Sequence, residues 1–102
     1  MISLQRSFFE SSNTNVREVL VNLTSTLLAT ANTARRGGLI VNLSKHDLLI
    51  WFGTKPPLER DKWLVIPQKA NCDIPIFFVG DIYGVWKGID DKQAKIYEFY
   101  GD

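Results

Sequence analysis

The residues best suited to chemistry stand in the stretch Leu39–Gly53, where the single histidine of the 102-residue chain is followed directly by a carboxylate, His46-Asp47. A His–Asp pair supports nucleophilic catalysis when the carboxylate orients the imidazole for proton transfer. Adjacent side chains in one turn usually point apart, and an aspartate in a short connection commonly accepts hydrogen bonds from backbone N–H groups. We therefore expect His46-Asp47 to form a turn rather than a catalytic pair.

The other reactive side chains make no stronger case for an enzyme. Cys72 has no second histidine to partner it, and the aspartate beside it disfavours a thiolate. One histidine and one cysteine cannot supply a zinc site without carboxylates filling the remaining positions. Asp90-Asp91 lacks the spacing of an EF-hand loop, and Arg35-Arg36 is weak evidence for a phosphate contact in a near-neutral chain. We expect no enzymatic activity, no metal and no cofactor.

Composition narrows the classes of partner. The chain has 12 basic and 11 acidic residues, for a formal charge of +1, so it lacks the basic footprint of a nucleic-acid-binding protein. Its single cysteine cannot form an intramolecular disulfide. No apolar run approaches about 18 residues, and the first ten residues lack the pattern of a secretion signal, so we expect neither a membrane span nor a leader.

The chain divides into an N-terminal arm, residues 1–15, and one domain, residues 16–102. The arm contains Phe8 and Phe9 and ends in a polar cluster. It is either a frayed terminus or an arm that orders against its own domain or a neighbour. Residues 16–29 show helical spacing, yet they are rich in Val and Thr, which favours strands over residues 17–23 and 26–29.

Beyond residue 36 the strand pattern is clearer. Apolar residues alternate over 39–43 and 48–52, on either side of a polar break at 44–47, which predicts a hairpin. Further strands are predicted over residues 63–66, 76–79, 81–86 and 94–100, with a loop at 71–75 and a bulge at Gly84. This rhythm predicts an all-β fold: an antiparallel β-sandwich, jelly-roll-like, of seven or eight short strands with an N-terminal arm.

The predicted hairpin has two apolar faces. Leu48, Ile50 and Phe52 share one face, which we expect to lie in the core. The opposite face would expose an apolar patch unless another subunit, a partner or the N-terminal arm covers it, and tryptophan is common at such contacts. The candidate contact residues are Trp51, Leu49, Ile40, Phe8 and Phe9.

An ordered series of short motifs resembles the small β-sandwich proteins of tailed-bacteriophage virions. It begins with an Ala-Asn loop at residues 31–32, two arginines at 35–36, an Asn-x-Ser strand end at 42–44 and a strand closing on Gly53. It continues with WLVIPQKANCDIP from residue 63 and FVGDIYGVWKGIDDKQAKIYEF from residue 78. The resemblance covers residues 26–99, and the family usually has a polar residue where this chain has Trp51.

The resemblance implies a non-enzymatic virion protein, assembled in the host cytoplasm. The expected function is capsid cement (decoration): a homo-oligomer, with a trimer favoured, that braces the major capsid protein or another virion protein. The alternatives are a tail or neck component, or a tail module that binds host glycans. Glycan binding would require at least two of Trp51, Trp63 and Trp86 to line one concave groove.

Overall fold

The computed structural model describes residues 14–101, which form eight strands and a single 3-10 turn. The strands are β1 Thr14–Leu20, β2 Thr26–Ala29, β3 Arg35–Asn42, β4 Leu48–Phe52, β5 Leu64–Ile66, β6 Asn71–Ile74, β7 Ile82–Trp86 and β8 Gln93–Tyr100; the turn is Arg60–Lys62. Within this part of the chain, no helix is long and apolar enough to cross a membrane. Strands, not a helix, form in the ambiguous segment 16–29.

The strands form two four-stranded antiparallel sheets. Sheet I has the order β1-β8-β3-β6, and sheet II has the order β2-β7-β4-β5. Successive strands lie in opposite sheets, except for β4 and β5, which are neighbours in sheet II. The two sheets pack face to face, and each buries its inner face against the other. The order is that of a jelly roll, so the predicted antiparallel β-sandwich is confirmed. The predicted arm lies outside the described residues, Phe8 and Phe9 included, except that Thr14 and Asn15 begin β1.

The predicted hairpin between β3 and β4 is wrong. β3 pairs with β6 and β8, whereas β4 pairs with β5 and β7, so residues 43–47 cross from one sheet to the other. Alternation shows which face of a strand is buried, but not which strand lies beside it, and the polar break suits either connection. As a result, Ile40 faces the space between the sheets together with Leu48 and Ile50.

The core fills the space between the two sheets. Its buried members are Leu28, Ala29, Ile40, Leu48, Ile50, Ile66, Ile74, Ile82, Trp86, Ala94 and Ile96. Val19, Phe52, Cys72 and Phe78 pack against this cluster from its margins. Every strand therefore contributes at least one inward side chain, and this shared apolar burial is the main force holding the sheets together.

The predictions for residues 71–79 are wrong: a strand forms where a loop was predicted, and a turn forms where a strand was predicted. Residues 71–74 form the edge strand β6, and the predicted strand at 76–79 is absent. Asn71 and Asp73 point to solvent while Ile74 is buried, so β6 does alternate, but with polar residues that resemble a loop. A turn follows instead, closed by a hydrogen bond from the Phe78 N–H to the Pro75 carbonyl (3.0 Å).

Gly84 does not mark a bulge in β7, which pairs with β4 in continuous register. The register shift lies in β2, between Leu27 and Ala29. Leu28 packs over Gly84, where an added Cβ would stand 2.7 Å from Leu28 Cδ1. Position 84 requires glycine because the Leu28 side chain fills the space that a side chain at this position would occupy.

Candidate functional site

The His46-Asp47 pair has a backbone role at the crossover between the sheets. The His46 carbonyl accepts hydrogen bonds from Asn42 Nδ2 (2.9 Å) and Ser44 Oγ (2.7 Å), and the Asp47 carbonyl accepts from the Lys87 N–H (3.0 Å). The imidazole occupies the space above Gly88, where an added Cβ would collide with Nδ1 of His46. The geometry is that of a turn held by its backbone.

Asn42 organises this crossover from inside the protein. Its side chain is fully buried; Oδ1 accepts from Trp86 Nε1 (3.2 Å) and Ser44 Oγ (2.8 Å), while Nδ2 also donates to the Ile66 carbonyl (3.1 Å). A buried amide must find such partners, because leaving one group unpaired costs about 1–3 kcal/mol. The Asn-x-Ser motif at 42–44 is therefore a structural node that joins the two sheets.

Arg35 forms a second buried node at the other end of the sandwich. The register of β3 against β8 shifts between Arg35 and Gly38, and Gly37 adopts a φ of 105° there. A bulge of this kind re-aims the neighbouring side chain, and glycine is the residue that tolerates such a φ. Arg35 consequently points inward and is fully buried, with its Nε 3.0 Å from Glu98 Oε2.

The two terminal nitrogens of the Arg35 guanidinium donate hydrogen bonds to carbonyls in two loops. Nη1 donates to the carbonyls of Gly80 (2.8 Å) and Phe78 (3.3 Å), and Nη2 donates to the Thr30 carbonyl. The nearby Tyr100 hydroxyl has its pKa raised, first by burial and then by the charge of Glu98. The Arg35 side chain is fully buried and bonds to groups inside the protein. It therefore holds loops together and does not bind an anion from solvent.

The face of sheet II that carries Trp51 is covered by the chain itself. The segment 53–63 returns across it, and Trp63 packs with Leu49 and Val85 in a small second cluster beside Trp51 and Tyr83. The Trp51 and Trp63 rings lie 6.5 Å apart. Neither the arm nor another subunit is needed to cover this part of the face.

The candidate contact residues are not brought together. Ile40 is 0% exposed and belongs to the central core, so its predicted place beside Trp51 is wrong. Leu49 lies beneath Trp63, and Trp51 is half-buried. A contact between Trp51 and another subunit stays a prediction, and Phe8 and Phe9 fall outside the described residues.

The three tryptophans do not form a groove for sugar rings. Trp86 is buried in the core, and Trp63 is buried with its indole N–H bonded to the Pro57 carbonyl (2.8 Å) and the Arg60 guanidinium 4.9 Å from its ring centroid. Only Trp51 is even partly accessible. The condition set for glycan binding is not met.

Cys72 and the acidic residues offer no metal or redox centre in the part of the chain that is described. No three His, Cys, Asp or Glu side chains among residues 14–101 come together as a metal site would require. Cys72 sits on edge strand β6 and faces the core margin; burial, and secondarily the charge of Asp73, raises the pKa of its thiol. Asp90 accepts hydrogen bonds from the backbone N–H groups of Lys45 (2.8 Å) and Lys92 (2.9 Å), which is a loop-holding role.

The unexpected surface feature is a set of exposed apolar side chains. Within residues 14–101 they are Val16, Leu20, Leu23, Leu58, Leu64, Val65, Ile76, Phe77 and Ile89. Phe77 is 91% exposed at the tip of the Pro75–Phe78 turn. Sequence reasoning missed it because a run of apolar residues predicts a buried strand; the one available signal was Pro75 directly before it.

No family model and no curated protein matches the chain. A solved structure matches with a TM-score of 0.54 and 11% sequence identity, covering 86% of this chain and 86% of that one. It comes from work on Bacillus endospore appendages, described as a family of disulfide-linked pili. At this identity the likeness concerns the fold alone.

This neighbour corrects the expected function. The prediction of a phage capsid cement protein is wrong, because the matching structure belongs to a bacterial endospore pilus and nothing found points to a capsid. The location in a virion and the trimer were implied by the resemblance to bacteriophage virion proteins. Nothing tests that resemblance, so both stay predictions. The comparisons support a β-sandwich fold shared with a pilus protein.

Proposed function

We propose that this protein is a non-enzymatic structural subunit that assembles with copies of itself. The observation that carries the proposal is the set of large apolar side chains left exposed by a fold whose core is otherwise complete. Single exposed apolar residues are normal, but several at turn tips and sheet margins mark surfaces that a partner covers. The buried polar nodes at Arg35 and Asn42 add rigidity, which reduces the entropy lost on association.

The shared fold is consistent with this proposal, since the matching structure belongs to a pilus. The disulfide link of those pili does not carry over. A linear polymer joined by disulfides needs at least two thiols in each subunit, and these 102 residues contain one. Cys72 also faces the core margin and has a raised pKa, which lowers its thiolate fraction. A linear polymer of these 102 residues joined only by disulfides is therefore excluded, and we propose that the contacts between copies are non-covalent.

The test is the dependence of mass on concentration. In sedimentation velocity and multi-angle light scattering, the mass should rise above the 11.6 kDa of one chain as concentration increases. Negative-stain electron microscopy of the concentrated sample distinguishes the products: a closed trimer gives particles of fixed size, and an open polymer gives fibres of variable length. A mass of one chain throughout, up to high micromolar concentration, would overturn the proposal.

A further inference from the structure

The Pro75–Phe78 turn has an unusual composition for a turn tip. Ile76 and Phe77 occupy its two central positions, where Gly, Asn, Asp and Ser are the usual residues because of their backbone freedom or local hydrogen bonding. Both side chains project into solvent, Phe77 almost completely. Within residues 14–101 both side chains stay largely exposed, so the turn suits contact with another molecule.

The turn is rigidly held despite its exposure. The Phe78 ring packs edge-on against Phe52 with a centroid distance of 5.2 Å, and the Phe78 and Gly80 carbonyls accept bonds from the buried Arg35. The Val79 carbonyl accepts from the Asn32 N–H (2.8 Å). A side chain presented by an ordered turn loses little conformational entropy on binding.

A second apolar patch lies at the opposite end of the sandwich. The register places Leu20 opposite Gln93, where β8 begins, whereas the turn lies near Arg35, opposite Tyr100, where β8 ends. Leu20 is 71% exposed. We name the patch formed by Leu20, Leu23 and Ile89 the Ile89 end, and the turn with Ile76 and Phe77 the Phe77 end.

Two hydrogen bonds join the segments of the Ile89 end. The Val21 N–H donates to the Lys92 carbonyl (3.2 Å), and the Trp86 N–H donates to the Asn22 carbonyl (3.0 Å). They tie the loop that carries Leu23 to the loop that carries Ile89, which is 65% exposed. The segments that carry Leu20, Leu23 and Ile89 are therefore held side by side at this end of the sandwich.

We propose that copies of this chain join head to tail, with the Phe77 end of one copy packing on the Ile89 end of the next. This inference rests on the proposed function and names the surfaces that carry it. Because the two patches differ and lie at opposite ends of the strands, each copy offers one of each, and the contact is heterologous. Such contacts repeat into an open filament unless the rotation between copies closes a ring.

Charge favours a second copy over a lipid surface. The turn is bracketed by Asp73 and Asp81 and contains no Lys or Arg, which opposes binding to anionic lipid headgroups. At the Ile89 end, Asp90 is engaged by backbone N–H groups, whereas Lys45 and Lys87 form no ion pair among the described residues. Asp91 at this end pairs with Lys92 (3.8 Å), and Asp81 beside the turn accepts a hydrogen bond from the Ala31 N–H (2.6 Å). The exposed Asp73 of one copy can therefore face Lys45 or Lys87 of the next.

The test uses two variants, each blocked at one end. Phe77→Ser removes the tip of the turn, and Leu23→Ser/Ile89→Ser removes most of the opposite patch. Each variant alone should stay at the mass of one chain at concentrations where the wild type assembles. An equimolar mixture should form a dimer and nothing longer, because each partner retains one intact surface. Leu58→Ser is the matched control: Leu58 is 90% exposed but lies in neither patch, so this variant should assemble like wild type.

The outcomes separate the two proposals. If wild type stays monomeric, the proposed function and this inference both fail. If wild type assembles and the blocked variants assemble equally well, only the head-to-tail contact is wrong. A mixture that stays monomeric shows that both changes act on one self-complementary surface, which also overturns the inference. Thermal unfolding and far-ultraviolet circular dichroism of every variant must match wild type, since all of these positions are exposed loop residues.

Discussion

Replacing Arg35 with Met should destabilise this protein strongly, because the guanidinium is the common partner of four groups. Methionine keeps the aliphatic bulk but leaves the Glu98 carboxylate buried without a cation, and it leaves the Phe78, Gly80 and Thr30 carbonyls without their donor. Removing one partner of a buried ion pair costs about 3–5 kcal/mol. Since the loop carbonyls are near solvent, water replaces part of their bonding, and the Glu98 contribution dominates.

We expect Arg35→Met to lower the free energy of unfolding by about 4 kcal/mol, a large part of the roughly 5–15 kcal/mol typical of a domain. For a chain of this length that corresponds to a fall in Tm of about 15–30 °C. Urea unfolding followed by tryptophan fluorescence measures it, because Trp86 is buried in the core. The urea dependence should keep its slope, since the surface exposed on unfolding hardly changes.

Two further variants isolate the cause. Arg36→Met is the matched control: Arg36 is exposed and donates only to carbonyls within its own loop, so its loss should cost about 0.5 kcal/mol or less. Arg35→Met/Glu98→Met should be more stable than Arg35→Met alone, because no buried carboxylate is left unpaired. The reasoning is refuted if Arg35→Met costs less than about 1 kcal/mol, or if the double variant is the less stable of the two.

Three smaller effects follow from the same structure. Gly84→Ala should cost about 1–3 kcal/mol in urea unfolding because its Cβ would meet Leu28, and adding Leu28→Ala should lower that cost. Cys72 should react with a thiol reagent at pH 8 more slowly in the folded than in the urea-unfolded chain, since burial raises its pKa; equal rates would contradict this. The pKa of Asp90 is lowered from its ordinary value of 3.8, first by the hydrogen bond from the backbone N–H of Lys45. The ionised Asp90 carboxylate therefore stabilises the folded protein above pH 3.8, and this stabilisation is lost as the pH falls below that value. Asp90→Asn should make unfolding less sensitive to acid in that range, and an unchanged acid profile would count against the assignment.

The fold class could be predicted from the sequence because the pattern of apolar and polar residues within a short segment is enough to indicate a strand. Buried and half-buried residues alternate in β8, and residues 26–29 and 48–52 are strands as predicted. The pairing of strands was not accessible in the same way. The turn after β3 looks like a hairpin because a short polar break is equally compatible with a strand that turns back and with one that crosses to the facing sheet.

The functional surface was less predictable than the fold. Ile40 was assigned to the wrong face because the assignment assumed that β3 and β4 are neighbours in one sheet. Arg35 was considered only as weak evidence for a phosphate contact, and its buried role was missed. The glycines at 37 and 38 were the one sign of the bulge that turns Arg35 inward. Phe77 was placed in a strand because hydrophobicity alone cannot tell a buried apolar residue from one kept exposed for a partner.

The position of β8 in sheet I governs how this chain can fold. It lies between β1 and β3, so the sheet has no continuous hydrogen-bond ladder until a strand near the end of the chain inserts between two strands near its beginning. Consecutive strands are neighbours in one sheet only for β4 and β5 among the described residues, so early local pairing is scarce. Topologies dominated by distant pairings fold in milliseconds to seconds. During synthesis, the ribosome must release β8 before sheet I can close, and until then the inner edges of β1 and β3 stay open to pairing with other chains.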